Sequence, residues 1–233
     1  MLFFPNVLAI FTYFLKTHII MKRSNTKEHW EKLYGTKQPE EFSWTQKDPS
    51  TSLDFIHGFH LQKDSKIIDV GGGESELVDR LIEEGYEDIT VLDISENALN
   101  FTKERLGEKG KNVKWIVSDI KDFHPSEDFD LWHDRATFHF LTTDNEINEY
   151  LKRAKESIKD KGFMTIGTFS DQGPTKCSGL EIKQYTEESL ENQLQKSFNK
   201  IRCITEDHIT PFNTKQNFLF CSFRKSDLSQ ARS

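Results

Sequence analysis

The sequence predicts an α/β fold: a doubly wound, mostly parallel sheet of seven strands, with helices on both faces and an antiparallel last strand. From residue 66 onward, short runs rich in β-branched residues alternate with segments of helical periodicity. Helices of about ten or more residues between successive strands require right-handed crossovers, and hence a parallel sheet covered on both faces. The last two strands are joined by a shorter connection with Pro211 and Asn213, which allows an antiparallel hairpin.

Each predicted element follows from its local pattern. The first strand, Lys66–Val70, is β-branched and ends in a run of glycines, and the helix over 75–84 stops at Gly85. Ser95 caps the next helix and Thr186 caps the last one. The remaining strands are predicted at 88–94, 113–119, 129–134, 162–169, 201–209 and 217–224, with a further helix at 145–158.

Composition excludes several classes of protein. Of the 233 residues, 35% are hydrophobic and 30% charged, and 19 phenylalanines and 4 tryptophans concentrate the apolar area in large side chains. This composition excludes collagen, low-complexity scaffolds and disordered chains. The net charge of −7 argues against a nucleic-acid partner, because binding to a phosphate backbone normally needs a basic surface.

The cysteines give no sign of a metal site or of disulfides. Cys177, Cys203 and Cys221 show no C-x-x-C pair and no Cys/His spacing of the zinc type. We therefore predict reduced thiols, no metal and a cytoplasmic location.

The N-terminus carries the one long apolar run, residues 2–15, which is shorter than the ~20 residues of a membrane-spanning helix. A polar stretch begins at Met21, so we expect residues 1–20 to be an upstream extension that precedes the native start. A membrane anchor and a packed helix are the alternatives, and no membrane partner is expected unless residues 1–20 are native.

The glycine turn after the first strand indicates a ligand site. Asp69, Gly71, Gly72 and Gly73 stand where a strand gives way to a helix, and glycine lets the backbone approach a ligand closely. Ligands of open α/β sheets bind at the carboxyl ends of the strands. A plain strand-to-helix turn is the alternative interpretation.

Two further carboxylates are predicted at the same edge of the sheet. Asp93 ends the second strand, about 20 residues after the turn, where a carboxylate can accept both hydroxyls of a ribose. Asp119 ends the third strand in the same way. Glu76 replaces the third glycine that a dinucleotide turn normally has, and a carboxylate there disfavours a pyrophosphate. A cationic ligand without phosphate, such as S-adenosylmethionine, fits better than a nicotinamide or flavin dinucleotide.

These residues together resemble the class I S-adenosylmethionine-dependent methyltransferases over about residues 28–225. The resemblance implies a Rossmann-like seven-stranded sheet with a reversed last strand, and S-adenosyl-L-methionine as the cofactor. The glycine turn is similar to the family's first motif, which contacts the methionine part of the cofactor. The resemblance also assigns the ribose to Asp93 and Ile94, and the adenine to Asp119 and Ile120.

A finer resemblance is to the methyltransferase-like branch that includes lysine methyltransferases of elongation factor 1A and of citrate synthase. That branch opens with Tyr-Trp-x-x-x-Tyr and then Phe-x-Trp, and this chain has Trp30 and Tyr34 followed by Phe42 and Trp44. Trp30, Tyr34 and Trp44 are predicted to form a lid over the cofactor, where aromatic faces favour a cation. Anchoring of the segment to the sheet as ordinary core is the alternative.

The residues after the fourth strand are the candidates for acceptor chemistry. The branch has Asp-Lys-Gly-Thr-x-Asp here, and this chain keeps Asp134 and Thr137 but has Arg135, Ala136 and His139 at the other positions. These departures leave the methyl acceptor open. Asp134 is predicted to orient the acceptor, and His133 or His139 to act as its base or to fill space.

The predicted function is methyl transfer from S-adenosylmethionine to a nucleophilic acceptor, with a lean towards a protein lysine over a small molecule. An NAD-type oxidoreductase and a non-catalytic cofactor-binding module are the alternatives. The domain boundaries are an extension at 1–20, an N-terminal helical lid segment at 21–65, a methyltransferase domain at 66–225 and a flexible tail at 226–233.

Overall fold

The computed structural model describes residues 26–226. The predicted extension, the start at Met21 and, apart from residue 226, the tail therefore lie outside the described residues. The strands are β1 Lys66–Val70, β2 Asp88–Asp93, β3 Lys114–Val117, β4 Phe129–Arg135, β5 Ile158–Phe169, β6 Lys176–Cys177, β7 Leu180–Glu181, β8 Phe198–Ile209 and β9 Lys215–Lys225. The helices are α1 over 26–36, α2 Ser50–His57, α3 Leu77–Glu83, α4 Glu96–Leu106, α5 Asp144–Ser157 and α6 Glu187–Leu194.

The main sheet has seven strands in the order β3-β2-β1-β4-β5-β9-β8. Neighbouring strands from β3 to β5 pair in parallel, whereas β9 pairs antiparallel with both β5 and β8. The strands β6 and β7 form a separate small hairpin. This arrangement confirms the predicted doubly wound sheet with a reversed last strand. The strand order changes direction at β1, which places the switch point beside the glycine turn.

Helices cover both faces of the sheet because side chains alternate along each strand. Ile67 of β1 points into a core that α2, α3 and α4 close, whereas Ile68 and Val70 point into a core that α5 and α6 close. The α5 core holds the larger rings, including the fully buried Trp132 and Tyr150.

Helix starts follow the predicted caps. The hydroxyl of Ser95 accepts from the N–H of Ala98 at 3.2 Å, and Thr186 caps α6 in the same way. Thr143 and Glu146 form a reciprocal capping box at the start of α5. Each such cap satisfies backbone donors that the helix leaves free.

Several strand boundaries differ from the predicted ones, and β9, for example, begins at Lys215, two positions before residue 217. The third strand ends at Val117, so Asp119 follows the strand instead of ending it. The fifth strand begins at Ile158, the last residue of the predicted helix. A register shift lets Ile158 pair with Phe129 of β4. The polar residues that follow Ile158 are typical of a turn, so the sequence did not predict that the strand begins before them. The eighth strand begins at Phe198, three positions before residue 201, where it was predicted.

The expectation of three reduced cysteines is wrong for two of them. The β8–β9 pairing places Cys203 opposite Cys221, and their sulfurs form a disulfide, whereas Cys177 is free and buried. Their separation of 18 residues does not match any spacing that indicates a disulfide from sequence, and the pairing of β8 with β9 brings them together.

Within residues 26–226, no helix has the length and apolar character needed to cross a bilayer.

Candidate functional site

A cavity of about 440 Å³ opens at the carboxyl edge of the sheet. Its walls come from the ends of β1, β2 and β4, from the loop after β3, from α1 and from the β6–β7 hairpin. The predicted site residues that line it are Trp30, Tyr34, Trp44, Gly71, Asp93, Ile94, Asp119 and Ile120. Asp69 and Gly72 line a smaller chamber beside it, and Gly73 lines neither space.

The backbone of the glycine turn lies close to β2 and to Thr137, which follows β4. The N–H groups of Gly71 and Gly72 both donate to the carbonyl of Leu92, at 2.7 and 3.3 Å. Gly71 has φ +70°, and a Cβ there would lie 1.8 Å from Oγ1 of Thr137. The turn therefore tolerates no side chain at this position, and bare backbone forms the cavity wall.

Asp93 presents a fixed carboxylate at the end of β2. Its Oδ2 accepts from the N–H of Gly73 at 3.0 Å, and its Oδ1 accepts from the N–H of Ser95 at 2.8 Å. Only 6% of the residue is exposed, and burial raises the pKa of its carboxyl to about 7. Each oxygen keeps a further lone pair, so the carboxylate can accept two hydroxyl groups from a ligand in the cavity.

Asp119 closes the far end of the cavity, two residues after β3. Its Oδ1 accepts from the N–H of Lys121 at 2.9 Å, and its Oδ2 lies 3.5 Å from the Lys121 ammonium. The same ammonium is 3.7 Å from a carboxylate oxygen of Glu146. Ile120 is buried beneath this group and provides the apolar surface.

The helix α1 covers the cavity with aromatic rings. Trp30 packs edge-on against Phe140, with ring centroids 5.1 Å apart, and against Trp44 at 5.9 Å. Tyr34 packs on Phe42 at 5.0 Å. The rings of Trp30, Tyr34 and Trp44 therefore form one layer of contacting rings that lines the cavity.

Glu31 on α1 attaches that layer to the sheet. Its carboxylate accepts from the N–H groups of Glu96 and Asn97 and from the hydroxyl of Ser95, at 2.8 to 3.1 Å. Partial burial raises the pKa of Glu31, but the hydrogen bonds from the two N–H groups outweigh it and leave the pKa lowered. The carboxylate also lies at the N-terminus of α4, where the helix dipole favours negative charge.

His133 lies behind the glycine turn. Its Nδ1–H donates to Oδ1 of Asp69 at 2.7 Å, and its Nε2 accepts from the Ser52 hydroxyl at 2.9 Å. Both ring nitrogens are thus paired, and 2% of the residue is exposed. His133 lines the small chamber but not the large cavity.

Asp134 faces the opposite side of the sheet from His133, as strand alternation requires. Its Oδ2 accepts from the Tyr150 hydroxyl at 2.6 Å, and its Oδ1 accepts from the N–H groups of Thr137 and Phe138. The residue is fully buried and does not line the cavity. Its contacts order the turn after β4, and its predicted role in orienting the acceptor stays a prediction.

His139 is also enclosed. Its ring stacks on Phe169 with centroids 4.6 Å apart, and burial lowers the pKa of its imidazole to about 3. A neutral, buried imidazole away from the cavity fills space, which was the alternative interpretation of this residue.

A family model described as a methyltransferase domain matches residues 61–222. The chain belongs to this methyltransferase family. The match covers the whole main sheet except the end of β9, leaves out the N-terminal cover, and confirms the resemblance seen in the sequence.

Two curated relatives of this chain are named as methyltransferases of eEF1A, and another, from Ilyobacter polytropus, is named as a malonyl-[acyl-carrier protein] O-methyltransferase. The mouse eEF1A lysine and N-terminal methyltransferase is 28% identical over 128 residues, which are 54% of this chain and 18% of the relative. The human EEF1A lysine methyltransferase 2 is 23% identical over 188 residues, with 74% of each chain covered. The present chain therefore spans about a fifth of the length of the mouse relative.

A solved structure shares the fold of the methyltransferase. The N-methyltransferase NodS from Bradyrhizobium japonicum WM9, in complex with S-adenosyl-L-homocysteine, has a TM-score of 0.57 and 15% sequence identity. The alignment covers 77% of this chain and 90% of NodS, which supports the Rossmann-like assignment of the sheet.

Arg135 lines the candidate site, although the sequence analysis did not name it as a site residue. It ends β4, lines both the large cavity and the small chamber, and donates from Nη1 to the carbonyl of Trp44 at 2.9 Å. The only sequence signal was its departure from the lysine of the related branch. Cys177 also lines the cavity, and burial raises the pKa of its thiol to about 11, which disfavours a nucleophilic role.

Asp134 makes the stability of the methyltransferase depend on pH. Burial raises the pKa of this carboxyl to about 6, above the value of about 3.9 in an unfolded chain. Between about pH 4 and 6, the folded state therefore retains a proton that the unfolded state has lost. The stabilisation that this carboxyl contributes below about pH 4 is lost as the pH rises through about 6.

Asp134→Asn is expected to remove this dependence, because the amide keeps an acceptor oxygen for Thr137 and Phe138 but does not titrate. As the pH rises from 4 to 7, the free energy of unfolding of the wild type should fall by about 1–3 kcal/mol relative to that of the variant. Urea unfolding at several pH values measures the difference. A difference that stays constant with pH would contradict a titration of Asp134 in this range.

Proposed function

We propose that this methyltransferase domain transfers the methyl group of S-adenosyl-L-methionine to an amine acceptor, a lysine side chain of a protein. The observation that carries the proposal is the Asp93 carboxylate, which is fixed by two backbone donors and lines the cavity between the glycine turn and the Asp119–Ile120 end. The ribose, the methionine chain and the adenine of S-adenosylmethionine match Asp93, the glycine turn and the Asp119–Ile120 end, respectively.

The residues present fit the cofactor at each part. Asp93 would accept the ribose hydroxyls, with Ile94 beside it, and Ile120 would contact the adenine ring, with Asp119 near its amino group. The backbone of Gly71 would contact the methionine chain, in a space that a Cβ would close. Asp69 and Gly72 shape the chamber beside that end.

The cofactor supplies a methyl group already activated by a sulfonium, so the domain mainly has to align the reacting atoms. Alignment of this kind contributes roughly 7–11 kcal/mol to such reactions. Trp30, Tyr34 and Trp44 present ring faces that stabilise a cation and exclude water from the cavity. Asp134 acts as a positioning residue, since it orders the turn that carries Thr137.

A cationic protein acceptor is supported by charge at the mouth of the cavity. Glu181 of the β6–β7 hairpin lines the cavity, and 70% of its side chain is exposed, where it pairs with Lys176. An exposed carboxylate at this rim is accessible to a side chain on another protein, where an ammonium of the acceptor can take the place of Lys176. Two of the curated relatives are named for lysine methylation of eEF1A, which agrees with this choice.

Two measurements test the proposal in sequence. Calorimetric titration with S-adenosylmethionine, S-adenosylhomocysteine and NAD should show binding of the first two and none of NAD; binding of NAD alone would overturn the proposal. The protein is then incubated with a tritiated methyl donor and fractionated cell extract. We expect label in protein, released as methyl-lysine on hydrolysis, and label confined to small molecules would replace lysine with a metabolite as acceptor.

A further inference from the structure

The strand β8 forms one edge of the main sheet and is long. It has 12 residues, and in the described part of the chain β9 is the strand that pairs with it. The strand at the opposite edge, β3, has only 4 residues. The outer edge of β8 is therefore open over roughly 40 Å. The N–H and C=O groups of such an edge are a template for pairing with a further strand.

Apolar side chains are exposed along the same strand. Ile201 and Ile209 are 50% and 52% exposed, and Ile204, near the middle of the strand, is 39% exposed. Of the six large hydrophobic side chains that are exposed within residues 26–226, these three lie on β8. Pairing of this edge with another strand would remove part of this apolar area from water, which favours association.

The charged residues of β8 are divided between its two halves. Lys200 and Arg202 lie in the first half, and Glu206 and Asp207 lie in the second. An antiparallel strand of the same sequence would therefore bring basic residues next to acidic ones. A second copy of this chain, related by a twofold axis, presents such a strand. Charge complementarity thus favours a second copy as the partner of β8.

Sheet geometry selects one register for the two copies. Side chains directly opposite each other in an antiparallel pair lie on the same face of the sheet. With Ile204 on the twofold axis, Arg202 lies opposite the partner's Glu206. A shift of one residue would place side chains from opposite faces across from one another. A shift of two residues would place Ile204 opposite one of these two charged residues.

A bulge in β8 fits this register. The pairing with β9 shifts between Lys200 and Arg202, which makes Ile201 an extra residue. Lys200 forms ion pairs with α6 and thus lies on the face that α6 covers. Asp207 shares this face with Cys203, which packs against the α6 core. Once the extra residue is counted, Lys200 lies opposite the partner's Asp207.

We propose that β8 is a self-association surface, through which two copies of this chain pair antiparallel about a twofold axis at Ile204. The two sheets then form one continuous sheet. Their parallel strands run in opposite directions, so the two cavities open at opposite ends of the dimer. Because no residue of β8 lines the cavity, this inference is independent of the proposed methyl transfer.

Sedimentation equilibrium of the full chain over a range of protein concentrations tests the proposal. We expect a monomer–dimer equilibrium for the wild type. Ile204→Lys places two ammonium groups opposite each other on the axis and should raise the dimer dissociation constant by about tenfold or more. Val117→Lys is the matched control, since Val117 is 38% exposed and ends the opposite edge strand, β3. It should associate as the wild type does.

Exchange of charges tests the register. Lys200 and Asp207 are the residues to change, because Arg202 and Glu206 also contact α2 through Asp54 and Thr51. Asp207→Lys alone, or Lys200→Asp alone, creates two like-charge pairs per dimer and should raise the dissociation constant by about tenfold. The double variant restores opposite charges across the interface and should recover most of the affinity.

The double variant also separates association from folding. The ion pair of Asp207 with Lys215, at 2.9 Å, is lost in Asp207→Lys and in the double variant alike, so only the interface explains a recovery. Asp88→Lys breaks an ion pair of the same length, with Lys114, on the other side of the sheet and should leave association unchanged. Circular dichroism and thermal unfolding establish that each variant is folded.

Amide hydrogen exchange locates the interface directly. Exchange in β8 should be slower at a concentration at which the dimer prevails than after dilution, whereas exchange in β3 should not change. A wild type that is monomeric at every concentration would overturn the proposal. A dimer that persists unchanged in both Ile204→Lys and Asp207→Lys would show that another surface forms it, and a double variant without recovery would exclude this register.

Discussion

Gly71→Ala is expected to weaken binding of S-adenosylhomocysteine by about 100-fold, or about 2.7 kcal/mol. The added Cβ would lie 1.8 Å from Oγ1 of Thr137, in a backbone conformation with φ +70° that costs roughly 1–2 kcal/mol for any residue but glycine. The turn cannot shift freely, because its N–H groups are bonded to the carbonyl of Leu92. Calorimetry measures the affinity, and thermal unfolding measures the accompanying loss of stability.

Gly85→Ala is the matched control for this variant. Gly85 also has a positive φ, +84°, but a Cβ added there would meet no atom within 4 Å, and the residue follows α3 away from the cavity. It should lose only the roughly 1–2 kcal/mol of backbone strain and keep its affinity. Equal losses of affinity in the two variants would show that strain, and not the close approach to Thr137, explains the effect.

Asp93→Asn is expected to weaken the same ligand by about tenfold or more, which is at least about 1.4 kcal/mol. The carboxylate already accepts from Gly73 and Ser95, and an amide would replace one of its two acceptor oxygens with a donor. Either a ribose hydroxyl or one backbone N–H would then lose its partner.

The pH dependence of binding tests the same assignment independently. Because the pKa of Asp93 is raised to about 7 by burial, protonation below that pH removes an acceptor, and the wild-type affinity should fall between pH 8 and 6. The Asp93→Asn variant should lack this decrease. Asp88→Asn, at the other end of β2 in a surface pair with Lys114, should bind as the wild type does. A wild-type affinity that is constant over this range would place the ribose elsewhere.

Local patterns predicted the parts of the fold that are locally determined. The β1 strand has the bounds of its β-branched run, since three glycines stop it, and Asp93 stands at the end of β2 as its spacing indicated. The start of β5 was missed because Ile158 is followed by charged residues and Gly162, a composition typical of a turn. Only its pairing with Phe129 in β4 makes this stretch part of the sheet.

Contacts between distant residues account for what the sequence did not predict. Arg135 is oriented by Trp44, which lies 91 positions earlier, and no local pattern indicates that a surface-type residue is buried at a cavity. The directions of Asp134 and His139 depend in the same way on Tyr150 and Phe169. Residue type predicted which side chains have useful chemistry, but the packing decides which of them reach the cavity.

The attachment of α1 has a consequence for how the cavity behaves in time. Trp30 and Tyr34 belong to none of the three buried clusters of the core, and the carboxylate of Glu31 holds the helix through hydrogen bonds at exposed positions. Segments with few buried apolar contacts open locally at a free energy well below that of global unfolding. Amide hydrogen exchange should therefore be faster in α1 than in β1 and β4, and a ligand that contacts the rings of α1 should slow it. If α1 opens in this way, Trp30 and Tyr34 leave the cavity wall, and the site is complete only while the helix is closed.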